Sequence, residues 1–261
     1  MMQYSALAGL YDALTDNVPY RKYAAQIERL FCRYGQKPSL VLELACGTGT
    51  LTALLAQKGY EMIAADISPD MLSVAREKCR ELAQPPVFIC QDMCSLDLYG
   101  TVQAAVCCLD SINYLTDIRK LRRAFARVSL FLEQGGLFLF DVKTPAMFRE
   151  MDGVCSVDEG EGWFGAWRYG WDAKSRLCVH AVDLFFERGG VYERQTEEHL
   201  QRAYPRNVLE KELETAGFCV RGVFDGLSLR AAREETGRLF FAAQKVTPNR
   251  RAPEEESKEQ V

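Results

Sequence analysis

Histidine and tryptophan are scarce in this chain, with two of the first and three of the second among 261 residues. No C-x-x-C pair occurs among the ten cysteines, and His180 and His199 are the sole imidazoles, so no zinc site is expected. No apolar run approaches the length of a membrane span. The opening "MMQYSALAGLYDALTDN" has neither a basic start nor a long apolar stretch, so no export signal is read there. An excess of one charge is also missing: 32 basic and 36 acidic residues are mixed along the chain, for a net charge of -4. Without a basic patch, neither nucleic acid nor an anionic membrane is an expected partner. Cys90, Cys107, Cys108 and Cys219 fall in apparent core segments, and Cys32 and Cys79 read as small apolar fillers on helices. Reduced thiols in a cytoplasm are therefore expected.

Apolar content is high, at 48%, enough for one large domain and a smaller second one. Tyr20, Tyr23, Ala24, Ile27, Leu30, Phe31 and Tyr34 recur at helical spacing, closed by Gly35. Leu40 to Leu44 reads as a buried strand, and "LTALLAQKG" as a helix ending at Gly59. A second strand runs from Met62 into Asp66, followed by a helix with Ser68 as cap and Pro69 in its first turn. "VFICQDM" and "VQAAVCCLDSINYL" carry a third and a fourth strand; a helix from about Asp117 to Leu132 and the strand "GGLFLFDV" follow. This alternation predicts parallel βαβ units in a doubly wound α/β sheet, with a ligand crevice at the carboxyl ends of its strands.

After Phe148 the pattern changes. Three strand-like runs lie between Trp163 and Leu200 with no helix between them, and Gly189-Gly190 joins two of them as a tight hairpin. They predict an inserted antiparallel β-meander over 149–200, within an α/β domain made of 1–148 and 201–246. The Trp163, Trp167 and Trp171 stripe is expected to pack between meander and sheet, with a substrate box as the alternative. The α/β pattern resumes with "PRNVLEKELETAG", "FCVRGVF" and "RLFFAAQK", and 247–261 is expected to be a disordered tail.

The chemistry concentrates in "VLELACGTGT". Gly47 and Gly49 sit where a strand turns into a helix, leaving the backbone open to a ligand beside unpaired helix N–H groups. The third glycine of a G-x-G-x-x-G dinucleotide turn is missing, and Glu43 would repel a pyrophosphate. An acid inside an apolar strand costs free energy unless it is paired, so Glu43 points to a cationic ligand.

These residues resemble the class I S-adenosylmethionine-dependent methyltransferases, in a bacterial branch acting on small molecules. "ELACGTG" is similar to the family's first motif with Ala45 at the first glycine, and Asp66 stands where the family has its ribose-binding acid. "QDM" resembles the adenine-binding segment and "CCLDSINYL" the fourth-strand segment. The resemblance implies a Rossmann-like, seven-stranded, mostly parallel sheet and S-adenosyl-L-methionine as cofactor. It implies contacts from Tyr11, Tyr20, Glu43, Ala45, Cys46, Gly47, Gly49, Asp66, Ile67, Met71, Asp92, Met93 and Leu109. Asn113, Tyr114 and Tyr204 are candidates for the acceptor pocket, with Asp110 or His199 as a base if the acceptor must lose a proton. No Asn-Pro-Pro-Tyr or Asp-Pro-Pro-Tyr signature follows the fourth strand, which disfavours planar amide or adenine nitrogens. A methyltransferase for a small-molecule acceptor, monomeric or homodimeric, is the leading expectation. The alternatives are a non-catalytic cofactor-binding protein on the same scaffold and, more weakly, a nicotinamide-dependent oxidoreductase.

Overall fold

The computed structural model describes residues 11–246; the expected tail over 247–261 lies outside the described residues. Two short helices, α1 (Tyr11–Leu14) and α2 (Tyr20–Arg33), precede β1 (Leu40–Leu44), α3 (Thr50–Gln57), β2 (Glu61–Asp66), α4 (Pro69–Cys79) and β3 (Val87–Cys90). β4 (Val102–Cys107), α5 (Ile118–Phe131) and β5 (Leu132–Lys143) complete the first run. α7 (Arg206–Thr215), β10 (Phe218–Asp225) and β11 (Arg238–Lys245) return to the same sheet, after α6 (Pro145–Met151) and four strands described below. The main sheet has the order β10-β11-β5-β4-β1-β2-β3. β11 runs antiparallel to both neighbours, and the other pairings are parallel.

Local chemistry explains the boundaries. β1 lies between β2 and β4, and such a doubly covered parallel strand reads as a continuous apolar run. Ser68 caps α4 by accepting from the Met71 amide at 3.3 Å, with Pro69 in the first turn. β5 begins earlier than its apolar run suggests: the pairing with β4 slips between Val102 and Ala104, and Gly135 at φ +82° accommodates the irregularity. One sheet face is covered by α5 and α7 through Leu121, Phe125, Leu209 and Leu213, the other by α2 and α3 through Ile27, Leu30, Leu51 and Leu55. Because the strand order reverses between β1 and β4, a crevice opens at their carboxyl ends.

The inserted sheet has four strands rather than three: β6 (Cys155–Gly160), β7 (Trp163–Asp172), β8 (Leu177–Arg188) and β9 (Val191–Arg202), antiparallel in that order. β6 escapes the sequence reading because all of its residues are exposed, which leaves no apolar alternation. α6, with Thr144 accepting from the Met147 amide, is likewise unforeseen. Gly189 and Gly190, at φ +59° and +82°, form the expected hairpin. The tryptophan stripe divides its work. Trp171 stacks on Phe148 of α6 at 5.5 Å and 9°, anchoring the sheet, whereas Trp167 faces the crevice.

Candidate active site

The turn after β1 is built from left-handed backbone: φ is +53° at Ala45, +55° at Gly47 and +73° at Gly49. Asp66, at the end of β2, holds that turn in place. Its Oδ2 accepts from the Gly47 amide at 2.8 Å and its Oδ1 from the Ser68 amide at 2.9 Å. Burial raises the Asp66 pKa, and these amides oppose the shift. A Cβ at Gly47 would stand 4.0 Å from the Tyr11 ring, inside the crevice. Gly49 has another task, contrary to the expectation of a cofactor contact. A Cβ there would lie 2.9 Å from the Ala75 Cβ, so this glycine lets α3 start against α4 and does not line the crevice.

Asp66→Ala should cost stability as well as binding. Two backbone donors lose their acceptor, at roughly 1 to 3 kcal/mol for each donor left buried. The apo melting temperature should therefore fall together with cofactor affinity. Calorimetry and a thermal melt on the same preparation check this, and an unchanged melt would deny Asp66 its hold on the turn.

Glu43 is 3% exposed and accepts a hydrogen bond from Thr52 Oγ1 at 2.5 Å. Burial pushes its carboxyl up to about 8, with the Thr52 bond opposing. Above the turn, α1 is tied down by a small ionic cluster. Lys78 Nζ lies 2.7 Å from Asp12 Oδ2 and donates to Thr50 Oγ1 at 2.6 Å, and the Thr48 hydroxyl donates to Asp12 at 2.6 Å. Tyr11 and Tyr20 line the crevice beneath this clasp. Neither the clasp nor its partners can be read from sequence, because Asp12 and Lys78 lie 66 residues apart.

At the end of β4, Leu109 and Asp110 are both left-handed, at φ +60° and +52°. Asp141 of β5 secures them. Its carboxylate accepts from the Leu109 amide at 2.7 Å and the Asp110 amide at 3.3 Å, and pairs with Arg238. Asp110 itself lies 3.0 Å from Lys143 Nζ and 2.8 Å from Arg238 Nη2, and accepts from Gln201 Nε2 at 2.9 Å. Burial would raise its pKa, but Lys143 and Arg238 hold it down to about 2. A carboxylate that acidic and that fully paired is a poor proton acceptor, so Asp110 organises the site rather than serving as the expected base.

Two acceptor-pocket expectations are corrected as well. Asn113 is fully buried: its Nδ2 donates to the Lys143 and Arg202 carbonyls at 3.0 and 2.8 Å, and its Oδ1 accepts from the Lys143 amide at 2.9 Å. It staples the β4 loop to β5 and β9. Tyr204 is 4% exposed in the core beneath α5, with its hydroxyl donating to the Leu115 carbonyl. Neither side chain lines the crevice, whereas Tyr114 does. Lys143, Asp141 and Arg238 were missed. Asp141 carried a readable signal, an acid inside the apolar "GLFLFDV", the same signal that marks Glu43.

All these elements open on a cavity of about 850 Å³. Its floor is the β1, β2 and β4 ends, with Ala45, Cys46, Ile67, Met71, Asp92 and Met93 along one side. Asp92 also accepts from the Cys94 amide at 2.8 Å, which starts a short 3-10 turn. The opposite wall comes from the inserted sheet: Trp167, Tyr169, His180, Val182 and His199. His199 is 1% exposed, with its Nε2 3.2 Å from Glu197 Oε2 and its ring edge-on to Tyr114 at 6.1 Å.

A seven-stranded α/β sheet with carboxylates at a glycine turn, roofed by a second sheet, defines a nucleoside-cofactor transferase scaffold. Residues 41–136 match a methyltransferase domain family. A putative methyltransferase of Bacillus subtilis, YqeM, is 32% identical over 246 residues, covering 94% of this chain and 98% of that protein. An S-adenosylmethionine-dependent methyltransferase from Clostridium acetobutylicum, known by crystal structure, superposes with a TM-score of 0.83 at 29% identity, covering 94% of this chain and 99% of the other. A sugar-nucleotide N,N-dimethyltransferase of Streptomyces fradiae is 26% identical over 85% of this chain and 90% of its own. The chain belongs to the class I S-adenosylmethionine-dependent methyltransferases, and S-adenosylmethionine is its cofactor. The cavity fits that molecule in its lining: the missing Cβ at Gly47 leaves the backbone approachable, and the acidic side chains of Glu43, Asp66 and Asp92 all line the cavity.

Proposed function

We propose that this enzyme methylates a small-molecule acceptor held between the β4 and β5 ends and the inserted sheet. The observation that carries the reading is the single cavity shared by the glycine turn and the aromatic wall of β7, β8 and β9. The S. fradiae relative, named for its action on a sugar nucleotide, supports an acceptor of small size. Residues 149–200 form the acceptor-recognising unit in this reading. No described helix is long and apolar enough to cross a membrane.

When bound, the cofactor supplies a methyl group on a sulfonium, an electrophile already activated for in-line displacement. Asp66 would hold the ribose, Asp92 and Met93 the adenine, and Glu43 with Gly47 and Leu109 the methionine part. The α1 clasp and the inserted sheet exclude water, and the rigid Asp110–Lys143–Arg238 network keeps the β4 loop in one geometry. Such positioning is worth up to about 10 kcal/mol of barrier. His199, with its Nε2 3.2 Å from Glu197 Oε2, would take the proton of an acceptor that must lose one.

The test uses methyl-labelled S-adenosylmethionine with a panel of hydroxyl, amine and thiol acceptors, scoring S-adenosylhomocysteine. With an active acceptor, His199→Gln should lower kcat by about 100-fold or more, the usual range for a general base, with cofactor affinity nearly unchanged. Equal losses in kcat and cofactor affinity would remove His199 from that role.

A further inference from the structure

A second imidazole stands on the aromatic wall beside His199. His180 on β8 lies directly across from His199 on β9, with ring centroids 5.8 Å apart, and across from Tyr169 on β7, on which it stacks at 4.5 Å and 15°. All three side chains line the cavity. The His180 Nε2 is buried and has no hydrogen-bond partner among the described residues. A buried, orphaned ring nitrogen is costly, and one kept on the wall of a ligand cavity fits a partner that arrives with the ligand.

The surroundings say what that partner is. Burial, with Lys143 and His199 nearby, pushes the His180 imidazole down to about 4, so the ring is neutral at pH 7. Tyr169 stacks on it, Tyr114 stands edge-on to His199, and Trp167 lines the same cavity. Lys143 and Arg238 on this side both lie within 3.0 Å of Asp110. A charged reactive end would be desolvated here against groups already paired with each other, whereas a neutral ring compound loses little on entry.

We propose that His180 positions the methyl acceptor by accepting a hydrogen bond at its ring Nε2, and that the methyl acceptor is an uncharged ring compound donating a hydroxyl or amine hydrogen. This rests on the small-molecule reading above, and it assigns His180 a positioning role distinct from the proton transfer given to His199. Stacking on Tyr169 fixes the imidazole plane, so the hydrogen bond also fixes the direction from which the nucleophile approaches.

Because the chain has only two histidines, both imidazoles can be observed separately by nitrogen NMR of histidine-labelled protein. The full-length protein, saturated with S-adenosylhomocysteine, is titrated with phenol, aniline, benzoate and benzylammonium, with His180→Phe and His199→Gln assigning the signals. Phenol and aniline should shift the His180 ring nitrogens and bind at least ten times more tightly than benzoate or benzylammonium. His180→Phe keeps a stacking ring but should lose that preference, and His180→Gln should recover part of it. S-adenosylhomocysteine affinity should stay within about twofold in both variants. Benzoate or benzylammonium binding as tightly as phenol, or phenol and aniline leaving the His180 signals unmoved, would overturn the proposal. Weak binding of S-adenosylhomocysteine itself would instead count against the cofactor assignment on which the small-molecule reading stands.

Discussion

Glu43→Gln should make the unliganded protein more stable at pH 8 to 9 while weakening its hold on S-adenosylmethionine. Glu43 sits inside β1, 3% exposed, and burial pushes its carboxyl from an ordinary 4.5 up to about 8. Below pH 4.5 the group is protonated whether the chain is folded or not, and it contributes nothing to the pH dependence. Between 4.5 and about 8 the unfolded chain releases the proton and the folded protein keeps it, so stability falls as pH rises. Above about 8 the full penalty is present, on the order of a few kcal/mol. Glutamine cannot titrate, and the Thr52 hydroxyl can bond to its amide, so the variant's melting profile should be flatter over that window. Asp66, also raised by burial, slopes the same way, but it is common to both proteins and cancels in their difference. Cofactor affinity should drop by roughly ten- to a hundredfold, the worth of a charge-assisted contact of about 1.5 to 3 kcal/mol. Thermal melts of both proteins from pH 5 to 9 and calorimetric titrations check the two halves. A pH-independent difference in stability would mean that Glu43 ionises like an exposed carboxylate.

Gly47→Val should abolish measurable cofactor binding, a loss of at least a hundredfold. Two effects combine. The backbone at Gly47 has φ +55°, where a side chain costs about 1 to 2 kcal/mol and a β-branched one more. The new Cβ would stand 4.0 Å from the Tyr11 ring, in the space through which a ligand reaches the turn. Gly47→Ala separates the two: Ala45 already holds φ +53° in the same turn, so alanine is tolerable as backbone while still intruding on the cavity. Alanine should fold with a modestly lower melting temperature and bind the cofactor at least tenfold more weakly. Full affinity in a folded alanine variant would place the methionine part of the cofactor elsewhere in the cavity.

Much of this molecule is written in local chemistry. The turn at Gly47, the Ser68-Pro69 helix start, the Gly189-Gly190 hairpin and the alternation of strands and helices each depend on residues a few positions apart. Backbone sterics and apolar periodicity act at that range, so the α/β sheet, the cofactor lobe and the presence of an antiparallel insertion were legible without coordinates. The buried acid in β1 was legible for the same reason, since a carboxyl among Val41, Leu42 and Leu44 has no apolar role.

The acceptor side depends on contacts between distant residues, and there sequence reasoning assigned wrong tasks. Asp110 reads as a base in sequence, but Arg238, 128 residues on, pairs with it. Asn113 and Tyr204 read as pocket residues, but each donates to a backbone carbonyl 89 residues away. Gly49 looked like a ligand contact, and its lack of a Cβ serves the approach of Ala75. His180 has no readable task in sequence, because a single imidazole in an alternating strand gains meaning only when three strands bring Tyr169 and His199 beside it. Periodicity states which face of a strand is buried. Which polar group meets which is settled only when the sheets pack, because a buried donor or acceptor takes whatever partner the tertiary structure brings within 3 Å.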